Sequence, residues 1–366
     1  MARFLASLLA WTLRALSDNA GATNVSYAND DAILESLVLH TIPDFGPHGD
    51  GVLNTNFLFS AMKAKDKAEG SSKRFVVIDG GIEFWNGISK AESSNFKWQS
   101  HTADMTAQLQ DPSARLRWAI MTFTGSIVIN ELHKAQNKGK AMMKEFARTL
   151  KEQAETTIPN QFNSAFWNTA PVAGTEPESI PSLITATPLV GTIGGLTRAG
   201  SAYLQNGAYG AAVADIGSEA GISAMTRQII RRAIGSGGQD MPDLGIMDDE
   251  LYAGLVGYLA TLNRYRPDDM MAQLGFDTVK IGKTTLSFEN TLVTGGANTI
   301  TDGYIYLINS NYMKFKVLKD GNFKWNPAGF ERIGSKLSKA LYFWVFCNLT
   351  TNNPRAHSVM TNVSTA

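Results

Sequence analysis

The glycine-punctuated segment Ile180–Asn206, IPSLITATPLVGTIGGLTRAGSAYLQN, constrains the fold of this chain more than any other. Gly191, Gly194 and Gly195 lie close together, and glycine permits sharp turns and close approach between backbones. Arg198 follows at the exit from this predicted turn. Such a segment suits either a loop that cradles phosphate or a structural crossing in a large assembly. The choice between the two decides whether the chain is an enzyme.

The phosphate interpretation requires a spacing that this segment lacks. A phosphate-binding loop of the form G-x-x-x-x-G-K-[ST] needs a lysine for the phosphates and a hydroxyl for magnesium. The sequence GTIGGLTRAG has no lysine, and its first two glycines are too close together. The dinucleotide fingerprint G-x-G-x-x-G does not match either, although Asp215 lies about twenty residues after Gly195, where that motif places an acid. A structural turn is therefore favoured over a phosphate site.

Length and charge exclude several classes of protein. The 366 residues suffice for one large or two medium domains, and the 44% of apolar residues indicates a globular chain. The 33 basic and 33 acidic residues balance, which argues against a dedicated nucleic-acid binder, since such binding rests on clustered Lys and Arg. A balanced charge is still compatible with weak contact to packaged nucleic acid. No segment has the roughly eighteen apolar residues needed to cross a membrane, so no membrane partner is expected.

Residue patterns for catalysis or metal binding are absent from the sequence. Five scattered histidines and the single Cys347 form no zinc spacing, so neither a metal nor a cofactor is expected. Cys347 lies in the aromatic run LYFWVFCNLT, which predicts a buried strand instead of a nucleophile. The acids Asp248–Glu250 are typical of a helix start. We expect a protein that is not an enzyme, with no catalytic residues.

The order of predicted elements is α+β, because helices and strands do not alternate regularly as they do in a doubly wound sheet. The first residues predict an amphipathic helix in preference to a signal peptide. A long helix is predicted over Gly139–Thr157, with Pro159 ending its regular part. FVVIDGGIEFWNGI predicts a hairpin about a Gly-Gly turn, and YIYLINSNYMKFKV predicts a strong strand.

Several residues predict contact with other chains. Trp85, Trp98 and Trp118 lie in a long polar stretch, and Arg355 lies in the carboxyl-terminal segment NLTTNNPRAHSVMTN. Tryptophan and arginine are enriched at the energetic centres of interfaces. Arg198, beside the glycine turn, is a further candidate to anchor a neighbour. These features favour extended arms that contact neighbours in a symmetric oligomer.

Three pieces of the sequence together resemble the major capsid proteins of tailed bacteriophages, which share the Hong Kong 97 capsid fold. They are SLITATPLVGTIGGLTRAGSAYLQN after a long helix, YIYLINSNYMKFKV with its Asn-rich turn, and FWVFCNLTTNNPRAHSVMTNV. The likeness spans most of the chain after about residue 75. Their order and spacing are more specific than any one of them alone.

The resemblance implies a division of the chain into regions: an amino-terminal arm over 1–45, a connecting segment over 46–69, an extended loop over 70–125, a peripheral domain with the spine helix over 126–206 and 326–366, and an axial domain over 207–325. The glycine turn would then be a structural crossing between the last two domains.

The function implied by the resemblance is self-assembly into an icosahedral virus head that encloses double-stranded DNA. Its partners would be copies of itself in pentamers and hexamers, with scaffolding, portal and cement proteins and weak contact to DNA. The protein would reside in the virion after assembly in the host cytoplasm. Two alternatives stay open: an encapsulin-like compartment that holds a protein cargo, and a phosphate-binding enzyme that uses GTIGGLTRAG.

Overall fold

A computed structural model of the chain describes residues 57–70, 73–89, 98, 100, 113–130, 132, 140–210, 215–234, 240–261, 278–289, 300–334 and 336–364. The predicted amino-terminal arm and its amphipathic helix lie outside the described residues. So does the middle of the predicted extended loop, apart from two single positions.

The described helices are α1 (Phe57–Glu69), α2 (Lys140–Trp167), the single turn α3 (Ile180–Leu183), α4 (Glu219–Arg231) and α5 (Asp249–Thr261). The described strands are β1 (Phe75–Ile78), β2 (Glu83–Ser89), β3 (Ser113–Ala119), β4 (Met121–Asn130), β5 (Thr192–Ile193), β6 (Leu196–Thr197), β7 (Gly207–Tyr209), β8 (Leu244–Asp248), β9 (Val279–Ile281), β10 (Thr284–Glu289), β11 (Ile305–Ile308), β12 (Met313–Leu318), β13 (Lys324–Trp325), β14 (Glu331–Arg332), β15 (Ser338–Thr351) and β16 (Ser358–Met360). This mixture confirms the α+β prediction.

Helix α2 is longer than predicted. Pro159 was expected to end its regular part, but the helix continues to Trp167. Proline inside a helix costs about 3 kcal/mol because it removes one hydrogen bond and crowds the preceding turn. Phe162, Phe166 and Trp167 beyond it are all at most 3% exposed. Burial of large apolar side chains stabilises by roughly 1.5–3 kcal/mol each, so their packing outweighs the proline.

The chain forms two compact units. Among the described residues, the smaller comprises those within Ser126–Ala154 and Asn326–Tyr342, and the larger comprises those within Pro43–Gly125, Glu155–Trp325 and Phe343–Ala366. In the smaller unit, β14 pairs antiparallel with the first part of β15 through Glu331 and Ala340. The backbone N–H of Asn326 also donates to the Tyr342 carbonyl at 2.9 Å.

The first sheet of the larger unit, called sheet one here, is built on the rest of β15. Strand β12 lies antiparallel to β15, and β1 lies parallel to β12. Aromatic rings pack beneath it, with the ring centre of Phe59 lying 5.1 Å from Phe315 and 5.0 Å from Phe166. The hairpin predicted for FVVIDGGIEFWNGI is wrong, because β1 pairs with β12 while β2 pairs with β3. Burial of the Phe75 ring in this cluster favours the distant partner.

Sheet two of the larger unit has the strand order β7, β16, β11, β8, β10, β9. All five residues of β8, at its middle, are buried. Helices α4 and α5 share its core, where Met225, Leu251, Leu255 and Leu286 are nearly inaccessible to solvent. The run YIYLINSNYMKFKV is divided between the sheets, since β11 belongs to sheet two and β12 to sheet one.

Candidate assembly surface

The glycine segment folds as a tight hairpin. Strands β5 and β6 pair through Thr192–Thr197 and Ile193–Leu196, which leaves Gly194 and Gly195 as a two-residue loop. Their φ angles are 53° and 78°, as two-residue hairpin loops require at the central positions. Gly191, just before the hairpin, has a φ of 88°. Each of the three glycines predicted as a structural turn therefore has a left-handed backbone conformation.

Gly194 also brings the hairpin into contact with β3. A methyl group at Gly194 would lie 2.8 Å from the Leu116 Cβ atom, closer than side-chain carbons approach. The backbone N–H of Arg117 donates to the Gly194 carbonyl at 2.9 Å. The absence of a side chain at this position lets two backbones meet.

Alanine at Gly194 and at Gly195 should separate the cost of the contact from the cost of backbone strain. Both positions have a positive φ, which costs a residue with Cβ roughly 1–2 kcal/mol. Only Gly194 also faces a close neighbour, because a methyl group at Gly195 meets no atom within 4 Å. We expect Gly195→Ala to cost about 1 kcal/mol and Gly194→Ala about 1–3 kcal/mol more, through overpacking. Urea unfolding measures both; equal losses would contradict the contact.

Arg198 uses its guanidinium within its own chain. The side chain is 1% exposed. Its Nη1 donates to Asn206 Oδ1 at 2.9 Å, and its Nη2 donates to the Ser182 and Leu183 carbonyls at 3.0 Å, at the end of α3. Burial lowers the pKa of Arg198 to about 10, against an opposing effect of Glu178. These bonds direct the guanidinium inward, away from a neighbouring chain or a bound phosphate.

Strands β2 and β3 form a separate two-stranded ribbon with one buried and one exposed side. Phe84 and Trp118 on the buried side are at most 2% exposed. We call the exposed side chains of Glu83, Trp85, Arg115 and Arg117 the ribbon face; Trp85 is 61% exposed within it. The Arg115 guanidinium lies 5.3 Å from the centre of the Trp85 ring, within the range of a cation–π contact. Trp85 and Arg117 are directly opposite each other in the pairing register.

A buried lysine attaches the ribbon to sheet one. Lys316 of β12 is 5% exposed, and its Nζ donates to the Trp85 carbonyl at 2.9 Å and to the Asn86 side chain. Burial, followed by the charge of Lys314, lowers the pKa of Lys316 to about 8. Asn86 Nδ2 in turn donates to the Thr351 carbonyl at 3.0 Å. The base of the ribbon is therefore fixed, with Trp85 presented to solvent.

Two other predicted interface residues are also exposed. The Trp98 side chain is fully accessible, and its flanking residues are not among those described. Arg355 is exposed on the 3-10 turn Pro354–Ala356, between β15 and β16. The structure brings Gly194 close to the ribbon through Leu116.

A polar cluster around Asn309–Tyr312, here called the hub, was missed as a site by the sequence analysis. This turn connects β11 of sheet two with β12 of sheet one. The Ser310 N–H and hydroxyl both donate to Asp243, and Ser310 Oγ accepts from Arg74 Nε at 2.8 Å. Asn309 Nδ2 and the Tyr312 hydroxyl both donate to Asp240. The Asn-rich turn was visible in the sequence, but its partners lie far away along the chain.

His357 completes the hub as a neutral, fully buried imidazole. Its Nδ1 accepts the Asn309 N–H at 3.2 Å, so its Nε2 carries the proton and faces Thr351 Oγ1 at 3.1 Å. Burial lowers the pKa of His357 to about 4, against an opposing effect of Asp243. Charging this ring is therefore unfavourable in the folded chain.

The free energy of unfolding should consequently fall as the pH falls from 6.5 toward 4. In this window the unfolded His357 binds a proton that the folded one rejects, which costs roughly 3 kcal/mol in total. Glu289 opposes this trend, because burial raises its pKa to about 7 and the folded state binds the proton first. We therefore expect the free energy of unfolding to decrease less between pH 6.5 and 4 in His357→Gln than in the wild-type chain. In Glu289→Gln it should decrease more. Urea unfolding at several pH values checks both; unchanged slopes would contradict the assignment.

The described part of the chain contains no cluster of side chains of the kind that holds a metal ion. Among those residues, no group of three or more His, Cys, Asp or Glu side chains is placed to hold a metal ion. No helix in the same ranges is long and apolar enough to cross a bilayer. Cys347 is buried in β15, as predicted, and burial raises the pKa of its thiol to about 12. It packs as a core side chain.

Comparison with known proteins gives similarity in structure without similarity in sequence. No family model and no curated protein matches the chain. Among solved structures, the chain is similar to the cyanophage A-1(L) capsid asymmetric unit, with a TM-score of 0.56, 11% identity, and coverage of 78% of this chain and 90% of that one. The capsid of an empty GTA particle has a TM-score of 0.49 and 10% identity, with coverage of 80% of this chain and 88% of that one. The SrpI encapsulin of Synechococcus elongatus PCC 7942 has a TM-score of 0.45 and 11% identity, with coverage of 80% of this chain and 85% of that one.

Proposed function

We propose that this chain, which has the Hong Kong 97 capsid fold, is the major capsid protein of a tailed bacteriophage. It would self-assemble into an icosahedral head around double-stranded DNA, without enzymatic activity. One observation carries the proposal: the chain shares its fold with 90% of the cyanophage capsid chain, at a TM-score of 0.56. The three capsid-like pieces of sequence, in the same order, support it independently.

The regions of the fold follow from the proposal with three adjustments. We assign 1–45 to the arm, the ribbon and the chain between its strands to the extended loop, and α2 to the spine helix. We assign sheet one to the peripheral domain, and sheet two, with α4 and α5, to the axial domain. Because β1 and β12 pair in sheet one and β16 pairs in sheet two, we move β1 and β12 to the peripheral domain and β16 to the axial domain.

The ribbon face is our candidate for the contact between subunits. Trp85 is 61% exposed and lies beside two arginines, and tryptophan and arginine are the residues enriched at the energetic centres of interfaces. Ile82, just before β2, is 93% exposed and would also be covered in an assembly. The partners would be copies of the chain in pentamers and hexamers, joined by scaffolding, portal and cement proteins and by weak contact with DNA. The protein would be assembled in the host cytoplasm and reside in the virion.

Negative-stain imaging of the purified full chain tests the proposal. We expect uniform closed shells, because the proposed function requires that copies self-associate through specific surfaces. A chain that stays monomeric across protein concentrations and salt conditions would contradict it.

The content of shells isolated from an infected or expressing cell separates the alternatives. Double-stranded DNA supports a virus head, whereas an enclosed protein cargo supports an encapsulin-like compartment. A phosphate-binding enzyme is weakened by the inward bonds of the Arg198 guanidinium. Nucleotide binding that is lost in Arg198→Ala while shells still form would favour the enzyme.

A further inference from the structure

Three arginines, two at the end of α4 and one on the turn before β16, form a basic cluster. Arg231 ends the helix and Arg232 follows it, while Arg355 lies on the turn before β16. Arg355 lies three residues before Ser358, whose Oγ, like Arg232 Nε, lies against Gly207. Burial lowers the pKa of Arg232, and the charges of Arg231 and Arg355 lower it further. Within the described ranges, none of the three forms an ion pair. The cluster is thus a local excess of positive charge in a chain whose net charge is zero.

Gly207 lets the innermost arginine meet a buried hydroxyl. Strands β7 and β16 run parallel, and Gly207 is in register with Ser358. A methyl group at Gly207 would lie 2.5 Å from Arg232 Nε and 2.9 Å from Ser358 Oγ. Both polar groups therefore converge on the same side of this glycine. A residue with any side chain would displace them.

The two converging groups are buried and lack a hydrogen-bond partner in the described structure. Ser358 is 0% exposed, and its Oγ has no partner; the Nε of Arg232 is also inaccessible and without one. Leaving a hydroxyl unbonded in the interior is costly, and leaving a charged group unbonded costs more. Buried polar groups without a partner are uncommon in folded proteins, and a bound ion is one explanation for them.

A purely helical role for Arg232 does not account for this geometry. Cations at the end of a helix are favoured by its dipole, and an arginine there commonly donates to the last carbonyls. At the end of α4, the backbone N–H of Arg232 approaches the carbonyls of Gln228, Ile229 and Ile230. The Arg232 guanidinium instead lies against Gly207, away from these carbonyls, where its N–H groups could donate to a bound ligand.

We propose that Arg232 and Ser358, with Arg231 and Arg355 around them, bind a phosphate-type oxyanion. The planar guanidinium matches a pair of phosphate oxygens, and the serine hydroxyl adds a donor. Three positive charges suit a phosphate better than a single carboxylate, and the two exposed arginines attract the anion from solution. The anion is either free phosphate or a phosphodiester of a nucleic acid. The site lies within one chain, so it stands apart from the proposed assembly.

Equilibrium dialysis of the purified full chain against inorganic phosphate tests the site. We expect saturable binding that weakens about tenfold or more in Arg232→Gln, since hydrogen bonds to charged groups contribute about 1.5–3 kcal/mol. Arg355→Gln, on an exposed turn where folding is undisturbed, should weaken binding several-fold. Arg332→Gln removes an exposed arginine of the smaller unit and should leave binding unchanged.

Competition by a short DNA duplex separates the two sources of the anion. Displacement of phosphate by the duplex, lost in Arg232→Gln and weaker at high salt, identifies a phosphodiester site. Phosphate binding that the duplex does not disturb identifies a site for the free anion. Absence of phosphate binding, or equal binding by the wild-type chain, Arg232→Gln and Arg355→Gln, would overturn the proposal. An equal loss in Arg332→Gln would also overturn it, because it would indicate only a general effect of charge.

Discussion

Replacing Arg198 with methionine is expected to lower the free energy of unfolding by about 2–4 kcal/mol. Methionine preserves the length of the apolar stem but removes the donor from two buried acceptors, Asn206 Oδ1 and the Leu183 carbonyl, and from the partly buried Ser182 carbonyl. Each unsatisfied buried group costs about 1–3 kcal/mol. Relief of the cost of burying the guanidinium offsets part of the loss. Urea denaturation of the full chain measures the difference.

Two further variants make the Arg198 prediction specific. Arg198→Lys retains the charge, but one ammonium cannot span the same three acceptors, so its stability should fall between methionine and wild type. Arg332→Met changes an exposed arginine and should stay within about 0.5 kcal/mol of wild type. If Arg198→Met unfolds like wild type yet no longer assembles, the side chain acts on a neighbour and the internal role is wrong.

Replacing Trp85 with alanine is expected to prevent shell formation while leaving the folded chain intact. The side chain is 61% exposed and its ring contacts Arg115 on the same face. Tryptophan at an interface centre contributes at least about 2 kcal/mol, which would raise the protein concentration needed for assembly roughly thirty-fold. Light scattering across a concentration series, with negative-stain images, measures this threshold.

The controls for Trp85 separate assembly from folding. Trp85→Phe keeps an aromatic ring for the Arg115 guanidinium and should assemble at a threshold close to that of wild type. Trp85→Ala should unfold at the same urea concentration as wild type, because exposed substitutions rarely change stability. Normal assembly of Trp85→Ala would exclude the ribbon face as an essential contact.

Features that depend on neighbouring residues could be predicted from the sequence. Gly194 and Gly195 form the expected turn because a two-residue hairpin loop needs a positive φ at both positions. Helix α5 begins at Asp249, where the paired acids favour the positive end of the helix dipole. Cys347 is buried, as its apolar and aromatic neighbours indicate, because it lies in a strand that is mostly buried.

Features that depend on distant partners could not be predicted. Strand β1 pairs with β12, more than two hundred residues away, so the local Gly-Gly signal suggested the wrong partner for it. The helix passes Pro159 because rings such as Phe315, supplied by another segment, cover the residues beyond it. Local propensity is a weak guide where tertiary packing supplies several kilocalories per mole.

The candidate site shows the same division between local and distant information. Isolated aromatics in a polar stretch predicted exposure correctly for Trp85 and Trp98 but wrongly for Trp118, which is 2% exposed because it lies on the inner side of β3. The inward direction of Arg198 required the position of the α3 carbonyls. The convergence of Arg232 and Ser358 depends on parallel pairing between β7 and β16, separated by about 150 residues in the sequence. Neither residue belongs to a recognisable motif.

The hub also bears on how the larger unit comes apart. Its bonds join Arg74, Asp240, Asp243 and His357 to a single short turn between the two sheets. These groups come from three separate stretches of the chain besides the turn itself, so the hub closes only after all of them have met, and such non-local closure is slow. Once the hub has formed, neither sheet can unfold without breaking hub hydrogen bonds that also hold the other sheet. The two sheets should therefore melt together, in one cooperative transition.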